Sequence, residues 1–232
     1  MGVLALLILS TAGECVAPSS SASLQMSQTS LADASDVRSA SLNDRVKNDL
    51  RCVDEKLVRR YAKEFGVDFR LILAMIKHES QFDEDAVSER GAQGLMQIMP
   101  VTHSELSEEL DVEDPMLPEA NLRAGVYYVA KLCELFKDAN AHDRVCLALA
   151  AYNAGPSRIY DAQELAAYLG ENPRSWSSIR TVLPLLSKRY YSLHHSVWSA
   201  SRPPNGYFGS SRQTIRYVEN IMKTYQSYRS QS

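Results

Sequence analysis

The sequence predicts a mainly α-helical protein with one globular helical domain over residues 46–232, preceded by two short segments of other character. Apolar residues recur at helical spacing through most of the chain beyond residue 50, strand-type alternation is weak, and no repeat of solenoid length is present. With 232 residues, 45% apolar and 23% charged, the chain can bury a sizeable core. Ten Gly and nine Pro are ordinary usage and exclude collagen-like, mucin-like and wholly disordered classes.

The elements follow in chain order. Val3 to Leu9 is an unbroken apolar run followed by Ser10, Thr11, Ala12 and Gly13, so residues 1–17 read as a signal-like segment for export, although no basic residue opens it. The run is too short to cross a bilayer, which takes about 20 apolar residues. Cys15 follows it as a candidate lipid anchor, with Glu14 standing where a lipoprotein signal wants a small residue. Residues 18–45 are Ser-rich, the composition of a flexible tether. Lys56 to Phe65 is amphipathic and Gly66 stops it; Asp68 then caps a second helix running to about Ser80. Further helical segments are expected at 94–99, 118–135, 143–151, 161–169 and 213–228.

Charge and cysteines narrow the classes. The net charge of -3 argues against a nucleic-acid partner. It is unevenly spread, since residues 174–232 hold 9 basic and 1 acidic group: either a solvated helical face or a basic wall suited to an acidic polymer. Four cysteines at 15, 52, 133 and 146 are too few and too scattered for a disulfide scaffold or a CxxC zinc site, so no metal is expected. Cys133 and Cys146 lie on two expected helices joined by a turn at 138–142, as a bridged pair or as small buried hydrophobes.

The second helix carries the chemistry. Leu71 to Ile76 is apolar almost all round, the pattern of a central buried helix. Along one face, Ile72, Met75, Ile76 and Glu79 fall at i, i+3, i+4 and i+7, so a carboxyl ends an apolar stripe. Turned inward, that carboxyl is desolvated, its pKa rises, and it becomes a general acid; turned outward, it is an ordinary helix-end Glu. His78 beside it does not make a zinc-protease motif, because the second His would fall at Phe82. Three clusters join Glu79: Gly91 to Pro100 with two glycines, two amides and two thioethers; Ala151-Tyr152-Asn153-Ala154-Gly155-Pro156, which ends a helix and offers a hydroxyl and an amide; and Tyr217-Val218-Glu219-Asn220-Ile221 in the last helix.

In this order, Glu79-Ser80, Gly94 to Pro100, Ala151 to Gly155 and Tyr217 resemble the lytic transglycosylases that cleave bacterial peptidoglycan, and the stretches Asp161 to Leu165, Leu183 to Ser187 and Tyr217 to Ile221 extend the resemblance to membrane-bound members over roughly residues 50–228. The resemblance implies a lysozyme-like α+β fold with a substrate cleft, peptidoglycan glycan strands as partner, no cofactor, and a cell-envelope location, periplasmic or at the outer membrane. It implies cleavage of the β-1,4 bond between N-acetylmuramic acid and N-acetylglucosamine without water, leaving 1,6-anhydromuramyl ends, with Glu79 as acid and then base. By motif position it implies that Ser80 orients the carboxyl or caps its helix. Ser88, Gln97 and Met99 line sugar subsites, while Tyr152, Asn153 and Tyr217 complete the cleft, the Tyr217 hydroxyl bonding Glu79. The large amino-terminal domain of the membrane-bound members has no counterpart in the 40 or so residues ahead of the match. Asp83, Glu84, Asp85 and Glu89 read as solvated charge rather than a second catalytic carboxylate, and His103, His142, His194 and His195 as surface or structural. A goose-type lysozyme-like hydrolase and a noncatalytic murein-binding module are the competing readings. Nothing in the sequence speaks to oligomeric state.

Overall fold

The computed structural model describes Asp49, residues 53–110 and residues 117–230; the signal-like and Ser-rich segments, with Cys15 and Cys52, lie outside the described residues. Nine α-helices occupy the described residues: α1 (Glu55–Glu64), α2 (Phe69–Glu79), α3 (Pro100–Leu110), α4 (Pro118–Leu135), α5 (Ala141–Ala154), α6 (Pro156–Tyr168), α7 (Trp176–Val182), α8 (Tyr191–Val197) and α9 (Ser211–Arg229). Two 3₁₀ turns, Leu183–Leu186 and Lys188–Tyr190, separate α7 from α8. No strand occurs among the described residues; the β character is limited to isolated bridges pairing Gln93 with Val87 and with Ile98.

Local chemistry sets the helix ends. Asp54 accepts from the N–H groups of Lys56 and Leu57 to start α1, Asp68 accepts from Arg70 to start α2, and Asn140 accepts from Asp143 to start α5. These side chains satisfy donors that the first helical turn leaves orphaned. Gly155 takes a φ of 86°, closing α5, and Pro156 supplies the first residue of α6.

The core centres on α2, where every residue from Leu71 to Ile76 is buried. It packs against α1 and against α9, and α9 in turn packs on α5, whose residues Cys146 to Ala151 are also buried. Each large apolar side chain so enclosed contributes about 1.5–3 kcal/mol. The carboxyl end of α2, the carboxyl end of α5 and the flank of α9 therefore converge at one place.

Several expectations are corrected. Residues 94–99 form a turn rather than a helix, because Gly94 and Gln97 adopt φ of 71° and 47°, outside the helical region. Pro100 opens α3 instead of only ending a motif, and α6 begins at Pro156 rather than at 161; in both cases proline is at a first helical position, where its missing N–H costs nothing. The segment from Trp176 to Val197, whose periodicity is too short to read, is helical almost throughout. Cys133 and Cys146 are free thiols, half-buried and buried, so of the two readings the small buried hydrophobe is the one seen.

Candidate active site

Glu79 is the last residue of α2, and Ser80 caps the helix through its N–H and its hydroxyl, both donated to the Ile76 carbonyl at 3.0 and 3.3 Å. The chain then turns through Gln81 and Phe82, two non-glycine residues with φ of 54° and 68°. Left-handed backbone at such residues costs energy and persists only where the surroundings impose it. The Glu79 side chain turns inward to α9, where the Tyr217 hydroxyl donates to Oε1 at 2.5 Å.

Burial pushes the Glu79 carboxyl up to about 7, with the Tyr217 hydrogen bond working in the opposite direction. A carboxyl in that range holds a proton in about half of the molecules at neutral pH and can both give and retake it. The phenols of Tyr217 and Tyr152 are raised well above their ordinary value by burial and, next, by the nearby Glu79 charge, so both remain protonated donors.

The neighbouring motifs are tied to this point by hydrogen bonds. Tyr152 donates to the Met96 carbonyl at 2.7 Å, joining α5 to the turn at 94–97. Asn153 accepts from the Thr214 hydroxyl at 2.8 Å, joining the end of α5 to α9. Thus Glu79, Tyr152, Asn153 and Tyr217 come together. Ser88, Gln97 and Met99 belong to the loop ahead of α3, and among the described residues no hydrogen bond joins them to Glu79. The Ser88 hydroxyl accepts from the Ala92 N–H, the Gln97 amide donates to the carbonyls of Ala86 and Gly94 at 2.9 Å each, and Met99 is exposed at the loop's end. Asp83, Glu84, Asp85 and Glu89 are all exposed. His103 bonds Ser107 and His194, fully buried, bonds the Leu185 carbonyl, so both are structural.

Two residues, Asn121 and Gly125, were not singled out by the sequence. Asn121 is buried in α4, accepting from the Met96 N–H at 3.0 Å and donating to the Gln93 carbonyl at 2.9 Å, and so holds the turn at both ends. Its signal is a lone amide on an otherwise apolar helix face. A Cβ on Gly94 would meet the Asn121 side chain at 2.6 Å, and one on Gly125 would meet Met96 at 2.5 Å, so both glycines are required for close approach. A cavity of about 640 Å³ opens beside Tyr217, lined also by His78, Asn153, Arg212, Arg216 and Asn220. No group of three or more potential metal ligands occurs among the described residues.

This helical fold, with a half-buried carboxyl held by a tyrosine beside a cavity, is that of a known class. Residues 56–173 match the Transglycosylase SLT domain, and the chain belongs to that family. It is 38% identical over 170 residues to the membrane-bound lytic murein transglycosylase F of Desulfosudis oleivorans, covering 73% of this chain and 35% of that protein. To the protein of the same name from Vibrio parahaemolyticus it is 34% identical over 188 residues, covering 77% of this chain and 32% of that one. The chain thus spans about a third of the length of these relatives. The 70 kDa soluble lytic transglycosylase of Escherichia coli shares the fold, with a TM-score of 0.54 at 22% identity over 76% of this chain and 24% of that one. The family match takes in Glu79, Ser80, Ser88, Gln97, Met99, Tyr152 and Asn153 and stops short of Tyr217.

Proposed function

We propose that the chain is a peptidoglycan lytic transglycosylase, cleaving the β-1,4 bond between N-acetylmuramic acid and N-acetylglucosamine with Glu79 as the acid and then the base. The observation that carries this reading is the buried Glu79 carboxyl with its pKa near 7, hydrogen-bonded to Tyr217 beside a cavity. The protonated carboxyl donates to the glycosidic oxygen as the bond to the muramyl C1 breaks, and the departing N-acetylglucosamine leaves as an alcohol. The muramyl N-acetyl oxygen shares the positive charge at C1. The Glu79 carboxylate then takes the proton of the muramyl 6-hydroxyl while that oxygen closes on C1, so the acid is regenerated and no water is consumed. Ordinary glycosidases need two carboxylates. One suffices here, in keeping with the two influences on Glu79, burial and Tyr217, neither of which is a second acid.

The remaining roles follow. Tyr217 holds the carboxyl in register and stabilises its charged form between the two proton transfers, while Ser80 fixes the helix end from which Glu79 projects. Tyr152 and Asn153 form the cleft wall, and Ser88, Gln97 and Met99 line the sugar subsites along the loop. Residues 18–45 tether this domain to an export signal at residues 1–17, which directs the chain to the cell envelope, periplasmic or at the outer membrane, with Cys15 as the lipid anchor; labelled palmitate incorporated by the wild type and lost in Cys15→Ala tests that part. No helix among the described residues is long and apolar enough to cross a membrane.

The deciding experiment is digestion of murein sacculi by the full chain beside a Glu79→Gln variant, with soluble muropeptides identified by mass spectrometry. Anhydromuramyl ends that disappear in the variant are expected. Reducing muramyl ends would make the chain a hydrolase, and no release by the wild type would leave a murein-binding module.

A further inference from the structure

The cavity beside Tyr217 carries two neighbouring arginines and no acid. Arg212 and Arg216 both line it, one helical turn apart on α9, and neither has a hydrogen-bond or ion-pair partner among the described residues. Six other arginines, Arg59, Arg60, Arg70, Arg123, Arg174 and Arg180, each lie within 4.0 Å of a carboxylate, and Arg144 and Arg158 are held by backbone carbonyls. The acid nearest in sequence on α9, Glu219, is taken by Arg180 at 2.9 Å and so is not available to Arg216. No acidic residue lines the cavity. His78, which does, is held below its ordinary pKa by burial and by Lys77, and its Nε2 is engaged with the Thr224 hydroxyl at 2.9 Å. The other polar lining, Asn153, Ser210, Gln213 and Asn220, is uncharged.

Two like charges at i and i+4 repel each other on a helix, so an unpaired pair facing an acid-free cavity is poised for an anion. Guanidinium groups fit carboxylates through two parallel hydrogen bonds. The cavity also includes Tyr217, whose hydroxyl donates to the Glu79 carboxyl, so one side chain joins the cavity to that carboxyl. We infer that Arg212 and Arg216 form a carboxylate subsite that reads the acidic peptide carried by the muramyl ring, so that the enzyme selects peptide-bearing glycan. This inference rests on the muramyl substrate proposed above.

Binding to a ligand that contains no scissile bond tests it. The full chain is titrated calorimetrically with N-acetylmuramyl-L-alanyl-D-glutamate and with the same compound amidated at both glutamyl carboxyls. The wild type is expected to bind the acidic ligand on the order of tenfold more tightly than the amidated one. The Arg212→Gln/Arg216→Gln variant should bind both alike and weakly, and Arg174→Gln, with half that charge change and its ion pair to Asp138 outside the cavity, should keep the preference. Circular dichroism checks that the exposed substitutions leave the fold intact. Equal binding of the two ligands by the wild type, or a preference that survives in the double variant, overturns the subsite. Sacculus digestion on the same preparations separates the two ideas. A wild type that prefers the acidic ligand and cleaves nothing refutes the activity and keeps the subsite, whereas one that cleaves without preference refutes the subsite alone.

Discussion

The Tyr217 hydroxyl donates a 2.5 Å hydrogen bond to Oε1 of Glu79, closing 138 residues of chain onto the end of the most buried helix. Burial raises the carboxyl and this bond lowers it, leaving it at about 7, the range expected of the acid proposed above. With a protonated carboxyl needed for the first step, kcat/KM should fall as the pH climbs through about 7. In Tyr217→Phe the bond that favours the charged form is gone, so the alkaline limb should move to higher pH while the rate drops about 10–100-fold through lost orientation. A pH–rate profile whose alkaline limb stays in place would separate Tyr217 from the acid's titration.

Glu79 also exacts a stability cost with a definite sign. Its pKa is 4.5 in the reference state and about 7 when folded. Below pH 4.5 it is protonated in both states and costs nothing. Between those values the unfolded chain releases the proton and the folded one retains it, so stability falls as the pH rises, by about 3 kcal/mol in all at 1.36 kcal/mol per unit. Glu79→Gln, which keeps an oxygen for Tyr217, should therefore match the wild type at pH 4 and melt roughly 5–10 °C higher at pH 8. Thermal melts at the two pH values check this.

The turn at 94–97 depends on α4. Asn121→Ala would leave the buried Met96 N–H and Gln93 carbonyl without partners, at about 1–3 kcal/mol for each orphaned group. Gly125→Ala would press a methyl on Met96, whose carbonyl anchors Tyr152, at a cost of about 1–3 kcal/mol. Urea melts should register both losses, and sacculus digestion should show reduced activity for substitutions that touch no substrate.

The thiols of Cys133 and Cys146 are pushed up by burial to about 11 and about 12. Only the thiolate reacts. Iodoacetamide at pH 8 should leave both unmodified in the folded protein and alkylate them after denaturation, read by peptide mass spectrometry.

Much of this was legible in the sequence because it is locally encoded. Asp68 caps the helix it precedes, Gly155-Pro156 ends one, and the apolar run from Leu71 to Ile76 declares a central helix. The stripe ending at Glu79 made this carboxyl a candidate, with an outward-facing helix-end Glu as the equal alternative. Pro100 and the segment from Trp176 to Val197 were harder, since proline signals both a stop and a start and short helices carry too few residues to display a period.

What the sequence determined by itself was the helical class and the family motifs, with Glu79 as the candidate carboxyl among them, because composition, caps and periodicity act over a few residues. Only the tertiary structure decided which way Glu79 faces, since inward and outward rotamers share one periodicity and the choice rests on α9 bringing Tyr217 alongside. The same packing decided that Asn121 rather than a helix supports the turn at 94–97, and that Arg212 and Arg216 face a cavity without acids. These are contacts between residues far apart in the chain, and no local pattern encodes them.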